Sequence, residues 1–416
     1  MRSHHAKLIV LSLVPFIMVL GNSMLIPVLP KMMQVMHLNL LQAGLVITAF
    51  SIPAGIVIPL AGALSDRVGR KVVMTPALAV YGLGGLGAGV AAWLSPHAYG
   101  FILAARILQG IGAGGTYQLA MAVAGDMFQD RSRAQALGLL EAANGLGKVV
   151  SPIAGSALAL IIWFAPFFAY GILSFPIAAA IWFIIQEPHA KPSEGPLRRY
   201  VARLGDTFRQ KGAAIGVTFL AGSVVLFILF GVLSYLADVL EKFYGVAEFS
   251  RGLFIAVPVL ASAVTSYVSG TVLQKRLARW SRPVLTGGLG LIAAAMVAEA
   301  LIFNPYWALF ALVAQGVGTG ATLPAVNTLV TSATSTAERG VVTSLYGSVR
   351  FFGVALGPPL FAWAMTQRLA VFLGAAVLAA LTAVLAWWLV ETDALLPDAL
   401  QKPAKAARSR PRAGIR

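Results

Sequence analysis

The sequence predicts an all-α polytopic membrane protein, with twelve transmembrane helices in two pseudo-symmetric six-helix bundles. Of its 416 residues, 58% are hydrophobic and only 11% are charged, whereas a soluble domain is about 45–50% apolar and about 25% charged. The apolar residues recur in blocks, and two parts of the chain repeat each other at a fixed spacing. These three observations indicate a duplicated helical unit that has lipid as its solvent.

The apolar blocks are long enough to cross a bilayer, because a helical span needs about 20 mostly apolar residues. Twelve such blocks follow one another along the chain. Their approximate bounds are Leu8–Val28, Ala43–Leu64, Val72–Leu94, Tyr99–Gly125, Ala134–Ile161, Phe164–Ile185, Ala213–Val239, Leu253–Leu273, Val284–Phe303, Trp307–Val330, Val342–Met365 and Ala370–Val390.

A stretch rich in proline, glycine and charge interrupts the apolar blocks after the sixth. It divides the chain into a first bundle at 1–185, a cytoplasmic linker at 186–212 and a second bundle at 213–391. A basic cytoplasmic tail follows at 392–416. We therefore expect six spans on each side of the linker.

The positive charges are distributed unevenly between the two sides of this predicted topology. Of the 31 lysines and arginines, 24 fall on the side that holds both termini and the linker, and 4 fall in the opposite loops. Cytoplasmic loops carry such an excess, so both termini are expected in the cytoplasm and the protein in the cell (inner or plasma) membrane. The net charge of +16 then indicates contact with anionic lipid and does not call for nucleic acid.

Several classes of chemistry find no support in the sequence. It has no cysteine, and its five histidines lie at termini or in predicted loops without metal-ligand spacing. No phosphate-binding loop or soluble catalytic constellation is evident. We expect neither an enzyme nor a protein that holds a metal or an organic cofactor.

The two halves share sequence. Arg133–Gly155 matches Arg339–Phe361 at an offset of 206, and the same offset pairs Gln109–Thr116 with Gln315–Thr322. A parallel duplication is a known transporter plan, in which the substrate site lies near mid-membrane between halves that rock to alternate access.

The loop predicted between spans 2 and 3 reads GALSDRVGRK and resembles the signature loop of the major facilitator superfamily. The resemblance implies the fold of that family and a charge latch that gates it; a plain topogenic loop is the alternative. A second copy at 270–279 has glutamine at the acidic position. The expected latch residues are Gly62, Asp66, Arg67, Gly69, Arg70 and Lys71, joined by Asp126, Arg131 and Arg133.

Span 4 carries Arg106, and a charge within a span is costly enough to suggest a function. The run from Arg106 resembles the Arg-x-x-x-Gly-x-Gly pattern of proton-coupled members of the superfamily. Gly110 and Gly112 would permit close helix packing. The alternative is that Arg106 only ties helices together.

Span 5 has a polar and small stripe, because Glu141, Asn144, Lys148, Pro152 and Gly155 fall on one helical face. Such a face should meet protein or a cavity and not lipid.

The end of this stripe resembles the Gly-x-x-x-Gly-Pro-x-x-Gly motif of drug–proton antiporters, although Ser151 replaces the glycine before proline. The repeat in span 11 restores that glycine. The residues expected to pack helices through these motifs are Gly147, Pro152, Gly155, Gly357 and Pro358.

Glu141 is the predicted proton carrier, since a buried carboxyl can load and release a proton as its surroundings alternate. Arg106, Lys148 and Arg350 complete the predicted proton-coupling set, and an interaction of Glu141 with Arg350 across the cavity is expected. A static polar clamp between helices is the alternative. Three acids near outer helix ends, Asp238, Glu241 and Glu299, are expected to be solvated.

The function expected from the resemblance is proton-coupled export of a small amphiphilic drug or metabolite, as in the twelve-span drug–proton antiporters. Proton-linked uptake, lipid or siderophore transport, and a non-transporting receptor or scaffold are the alternatives. The expected partners are the substrate, protons and membrane lipids, with the chain acting as a monomer. Expected cavity residues are Asn22, Gln118, Tyr235, Gln315, Asn327 and Tyr346.

Overall fold

The computed structural model describes the backbone of residues 2–128, 130–187, 197–275, 277–302, 305–332 and 339–390. Within these ranges the chain is helical and contains no strand, which confirms the predicted all-α fold. The first bundle contains α1 Arg2–Ser23, a short 3₁₀ helix at Ile26–Val28, α2 Leu29–Met36, α3 Leu40–Val68, α4 Arg70–Leu94, α5 Tyr99–Gly114, α6 Tyr117–Met127, α7 Asp130–Ala159 and α8 Ala165–Ile184. The second contains α9 Leu197–Lys242, α10 Glu248–Lys275, α11 Leu277–Leu301, α12 Pro305–Ser332, α13 Arg339–Ala362 and α14 Ala364–Leu389.

These helices account for the twelve predicted spans, although two spans depart from a long apolar helix. Ten of the helical segments described are long and apolar enough to cross a membrane. The fourth predicted span is divided into α5 and α6 because the helix breaks at Gly115 and Thr116. The fifth, α7, carries the polar stripe with Glu141 and Lys148, which makes it the least apolar of the spans.

Two ends of the bundle can be distinguished by chain direction. We call the end where α1 begins and α14 ends the terminal end, and the other the opposite end. α3 and α4 meet at the terminal end across one residue, Gly69, whose φ of 103° suits glycine. The loop predicted here is therefore much shorter than expected, and Asp66 and Arg67 belong to the last turn of α3.

Helices of each half pack mainly among themselves, and each half has its own buried apolar core. Two pairs of long helices join the halves: α3 packs on α13, and α7 packs on α10. Along the first pair, the Thr48 hydroxyl donates to the Ala355 carbonyl at 2.6 Å. Near the opposite end, Gly44 lies against Pro358.

Small residues allow the helices within and between the halves to approach closely, as the motifs predicted. A Cβ at Gly110 would overlap the Phe50 carbonyl, and one at Gly155 would overlap the Met24 carbonyl. The remaining packing glycines behave in the same way. A Cβ would meet the backbone of Tyr81 at Gly112, the Phe16 carbonyl at Gly147 and the Phe227 carbonyl at Gly357.

The predicted linker is not wholly irregular, because α9 begins inside it at Leu197 and continues without interruption to Lys242. Residues 188–196 of the linker and the predicted tail at 392–416 lie outside the described residues.

Candidate functional site

A central cavity lies between the two halves, enclosed by α1, α3, α6, α7, α9 and α13. Its volume is about 70 Å³. Most of its lining is apolar and comes from both halves, as expected for a mid-membrane site. The polar and charged lining residues are Asn22, Ser23, Tyr117, Gln118, Asn144, Lys148 and Arg350.

Glu141 is exposed, so the prediction of a buried carboxyl is wrong, and it meets this site through a tyrosine. The Tyr117 hydroxyl, on the first turn of α6, donates to Glu141 Oε1 at 2.5 Å. Tyr117 is buried and also lies within electrostatic range of Arg350. The described residues include no direct ion pair between Glu141 and Arg350, the two charges that the sequence predicted to interact.

Two bases face the same cavity from different halves, Lys148 on α7 and Arg350 on α13. The guanidinium of Arg350 lies 5.3 Å from the ring centroid of Tyr346, a distance at which a cation is attracted to the ring face. With Glu141, these residues form a cluster of one acid and two bases. Three of the four predicted proton-coupling residues are therefore brought together.

The fourth residue, Arg106, lies apart from this cluster inside the first bundle. Its side chain is fully buried. It donates to the backbone carbonyls of Val46 at 3.0 Å and Gly21 at 2.6 Å, and to Gln109 Oε1 at 2.7 Å. These bonds connect α5 with α1 and α3, an arrangement that fits the helix-tying alternative.

Asn22 links Arg106 with the central cavity. Its Oδ1 accepts from Arg106 Nη2, its Nδ2 donates to Ser51 Oγ at 3.0 Å, and the residue also lines the cavity. The face of Phe50 lies 4.5 Å from the Arg106 guanidinium. A substrate in the cavity would thus be separated from Arg106 by one amide side chain.

The predicted cavity residues divide into three groups. Asn22 and Gln118 line the central cavity, and Tyr346 lies behind Arg350. The prediction is wrong for the three others as residues of this cavity. Tyr235 lines a separate space in the second bundle, Gln315 is fully buried and donates to Thr319, and Asn327 lies on α12 away from the lining. A polar residue within a span is expected to face protein and not lipid, but its polarity does not show which cavity it lines.

The charge latch centres on Arg70, at the start of α4. Its guanidinium lies 2.5 Å from Asp126 Oδ2 and 3.7 Å from Asp66 Oδ1. Both carboxylates are substantially exposed, at 39% and 42%, so each ion pair contributes little to stability by itself. Their arrangement connects the ends of α3, α4 and α6 at the terminal end.

One further latch residue was missed by the sequence analysis. Glu187, just after α8, accepts the backbone N–H groups of Arg70 at 2.8 Å and Lys71 at 3.0 Å. A carboxylate is stabilised at a helix N-terminus because the first amides there have no intrahelical partner. No sequence pattern pointed to it, since Glu187 lies at the edge of a charged linker.

The other latch residues have smaller roles in the structure. The ammonium of Lys71 lies 5.1 Å from the ring centroid of Trp182, and Arg67 is exposed. The side chains of Arg131 and Arg133 lie outside the part of the chain that the structure describes.

The latch adjoins the second half through Gly62. A Cβ there would lie 3.1 Å from the Ser344 hydroxyl on α13. Movement of α13 relative to α3 would therefore act on α3 at Gly62, one turn before Asp66.

The opposite end is held by a second polar cluster, which we call the opposite-end lock and define as Gln34, Glu241 and Arg251. Glu241 accepts from the Gln34 side chain in the first half and is paired with Arg251 of α10. Arg251 is only 3% exposed. The expectation that Glu241 is simply solvated is wrong, because it links helices of both halves.

The same expectation is wrong for two other acids. Asp238 is 1% exposed and pairs with Lys242 at 2.9 Å, and Glu299 is 4% exposed. Each lies near a helix end in sequence, but neighbouring helices cover it.

The contact between α7 and α10 differs between the two ends of the bundle. Glu141 is exposed, and a Cβ at Gly138 or Gly145, on the same part of α7, would meet nothing within 4 Å. At the opposite end, a Cβ at Gly252 of α10 would clash with Pro152 and Ser156 of α7. The α7–α10 contact is thus tight at the opposite end and loose at the terminal end.

Sequence comparison relates the chain to membrane exporters. It is 38% identical over 363 residues to the Bacillibactin exporter of Bacillus subtilis (strain 168), covering 87% of this chain and 90% of the relative. It is 28% identical to Multidrug efflux protein YfmO of the same organism, covering 82% and 81%. These proteins are similar to the chain over most of their length.

Solved structures share its fold. A bacterial homologue of the human lysosomal transporter Spinster, inward-facing and unoccupied, matches with a TM-score of 0.75 at 19% identity, covering 94% of this chain and 97% of that one. A D-xylose–proton symporter matches with a TM-score of 0.76 at 14% identity, covering 94% and 99%.

The sequence model described as Major Facilitator Superfamily matches residues 11–358 and 279–415. Together with the relatives, it identifies a multi-pass membrane transporter of small molecules and not an enzyme. The chain belongs to the major facilitator superfamily.

Proposed function

We propose that this transporter exports a small amphiphilic compound, a drug or a metabolite, by alternating access in exchange for protons. The observation that carries the proposal is the cluster of Glu141, Tyr117, Lys148 and Arg350 at a cavity between the halves. The exporter relatives support the direction.

Proton coupling is supported by the position of Glu141. It is exposed, so protons can reach it, and its partner Tyr117 lies in the cavity lining. A substrate that displaces or reorients Tyr117 would change the hydrogen bonding of the carboxylate and so its readiness to release a proton. The proton is the proposed coupling ion.

The apolar lining supports an amphiphilic substrate, since transport sites of this kind bury apolar surface and orient the ligand with few polar groups. Lys148 and Arg350 would favour a substrate that carries a polar or anionic part. Bacillibactin, named for the 38% identical relative, is accordingly a compound to test beside drugs.

The proposed setting is the cell membrane, with both termini in the cytoplasm and the chain acting as a monomer. The excess of basic residues on the terminal side supports this orientation. The terminal end would then be the cytoplasmic face.

Purified protein reconstituted in liposomes tests the proposal. When the liposome lumen is made more acidic than the medium, transporter molecules oriented inside-out should accumulate a fluorescent amphiphilic drug in the lumen. An uncoupler should abolish this accumulation. Movement that ignores the gradient would exclude antiport. Absence of any movement for drugs and bacillibactin alike would favour a receptor or scaffold, and gradient-driven movement with the reverse polarity would favour uptake.

The role of Glu141 is tested by Glu141→Gln and Tyr117→Phe. Gradient-driven transport should fall at least about tenfold in Glu141→Gln and about tenfold in Tyr117→Phe, because a hydrogen bond to a charged group contributes about 1.5–3 kcal/mol. Drug binding without a gradient should change less than about threefold, on the same tenfold-per-1.4 kcal/mol scale. Glu248→Gln, at the start of α10, is the matched carboxylate control. Unaltered proton-driven transport in Glu141→Gln would reject the proton-carrier role.

A further inference from the structure

A second cavity lies within the second bundle and shares no lining residue with the central one. Its volume is about 330 Å³, against about 70 Å³ for the central cavity. α9, α10, α11, α12 and α14 form its walls. Its size falls in the range of small-molecule sites, about 300–1,000 Å³.

The walls are mainly apolar and include Leu236, Leu309, Leu312 and Phe254. A soluble ion would gain nothing from such walls, whereas an aromatic or aliphatic group would be removed from water at about 25 cal/mol per Å². The cavity therefore fits a ligand with an apolar body.

Glu299 supplies a hydrogen-bond acceptor in this cavity. Glu299 on α11 is 4% exposed, and its Oε1 has no hydrogen-bond partner among the described residues. A buried acceptor without a partner is destabilising, because the hydrogen bonds it made with water are not replaced. A donor group on a bound molecule would remove this cost.

Arg368 on α14 lines the same space and balances the charge of Glu299. Its guanidinium donates to the Ile302 carbonyl at 2.7 Å and lies within electrostatic range of Glu299. Because one negative and one positive group are present together, the cavity as a whole favours neither an organic cation nor an organic anion.

The cavity lies near the opposite end, where α9 ends and α10 begins. Tyr244, in the connection between them, lines the cavity and is 48% exposed, and Phe254 is 39% exposed. Partly exposed aromatic residues in the lining give an apolar molecule a route of entry from that side.

We propose that this cavity is a second small-molecule site, which binds an uncharged amphiphile whose apolar body fills the space and whose hydroxyl or amide N–H donates to Glu299 Oε1. The proposal does not depend on the direction of transport or on proton coupling. Binding at this site would occur in the second half alone, without bridging the two halves.

Equilibrium binding of 4-hexylphenol and of hexylbenzene to the full chain in phosphatidylcholine nanodiscs tests the site, with empty nanodiscs giving the unsaturable partition into lipid. Wild-type protein should bind the phenol about tenfold more tightly than hexylbenzene, because only the phenol donates to the carboxylate and 1.4 kcal/mol corresponds to tenfold. In Glu299→Gln this preference should fall to about threefold or less, since a neutral acceptor makes the weaker bond. Comparing two ligands in one variant removes differences in the amount of folded protein.

Leu312→Trp should abolish saturable binding of both ligands by filling the space, and Ala308→Leu, a smaller change at another lining position, should weaken both. Val354→Trp fills the central cavity and should leave both affinities unchanged. The proposal is overturned if Val354→Trp removes the binding while Leu312→Trp or Ala308→Leu retains it, if the full preference of about tenfold for the phenol survives in Glu299→Gln, or if only the unsaturable lipid component is seen.

Discussion

Replacement of Arg106 distinguishes a structural clamp from a proton-coupling residue. The guanidinium is fully buried and donates four hydrogen bonds, to the Val46 and Gly21 carbonyls and to the side chains of Gln109 and Asn22. In Arg106→Met the side chain keeps its approximate length, but all four acceptors lose their donor.

The expected loss of stability follows from the number of bonds. Side-chain hydrogen bonds within membranes contribute about 0.6 kcal/mol on average and at most about 1.7. Four of them predict a loss of about 2–3 kcal/mol for Arg106→Met, and about half of that for Arg106→Lys, whose ammonium has three donors but no planar fork. The entropy of unfolding is about 2.1 cal/mol/K per residue, so a chain of 416 residues loses about 1 °C per kcal/mol, and Arg106→Met should melt about 2–3 °C below the wild type.

Thermal unfolding of the purified protein in one detergent measures this difference, and Arg209→Met on the exposed part of α9 is the matched control. We expect the control to melt within about 1 °C of the wild type, as surface substitutions usually do. The folded fraction of Arg106→Lys should keep gradient-driven transport. If Arg106→Met instead melts at the wild-type temperature and its transport no longer depends on the proton gradient, the clamp is refuted and Arg106 has a role in proton coupling.

Three further predictions concern packing, the lock and the latch. Gly155→Ala should lower the free energy of unfolding by about 1–3 kcal/mol, because its Cβ would overlap a backbone carbonyl, whereas Gly138→Ala should not, because its Cβ meets nothing; parallel melting curves compare the two. Two spin labels can be placed at the opposite end of the bundle, one on α4 and one on α9. Glu241→Gln should lengthen the distance between them, since it breaks the ion pair with Arg251 of α10; an unchanged distance distribution would argue against the lock. Asp126→Asn should slow turnover more than Asp66→Asn, because the guanidinium of α4 is 2.5 Å from the former and 3.7 Å from the latter; equal rates in both variants, measured at matched expression, would remove this ranking.

The sequence predicted the features that are encoded locally. The twelve spans and the latch motif follow from residue type and spacing over short distances, and the two halves follow from the similarity of such local segments to each other. Gly69 marked the turn between α3 and α4, and Asp66 lies four residues before its partner Arg70. Two residues this close along the chain meet across the turn whatever the rest of the fold does.

The pairing of distant residues could not be read in this way. Gln34 and Glu241 are 207 residues apart, and only the docking of the two halves brings them together. Glu141 was identified by its polarity, but its partner Tyr117 lies after the helix break in span 4, and a tyrosine in an apolar helix is more often a packing residue. Glu299 was assigned to solvent because the sequence does not show that neighbouring helices cover the end of α11.

Because α9 is continuous, its first part, which lies in the linker, must move together with the part that crosses the membrane. The helix is 46 residues long, and its membrane-crossing part begins at Gly212, so 15 residues extend beyond that part at the terminal end. At about 1.5 Å per residue they reach roughly 22 Å. A tilt of about 10° in the embedded part would sweep the far tip through roughly 4 Å, given that length. Motion of the second half would thus be amplified at the surface, where a fluorophore on the first turn of α9 could follow each cycle.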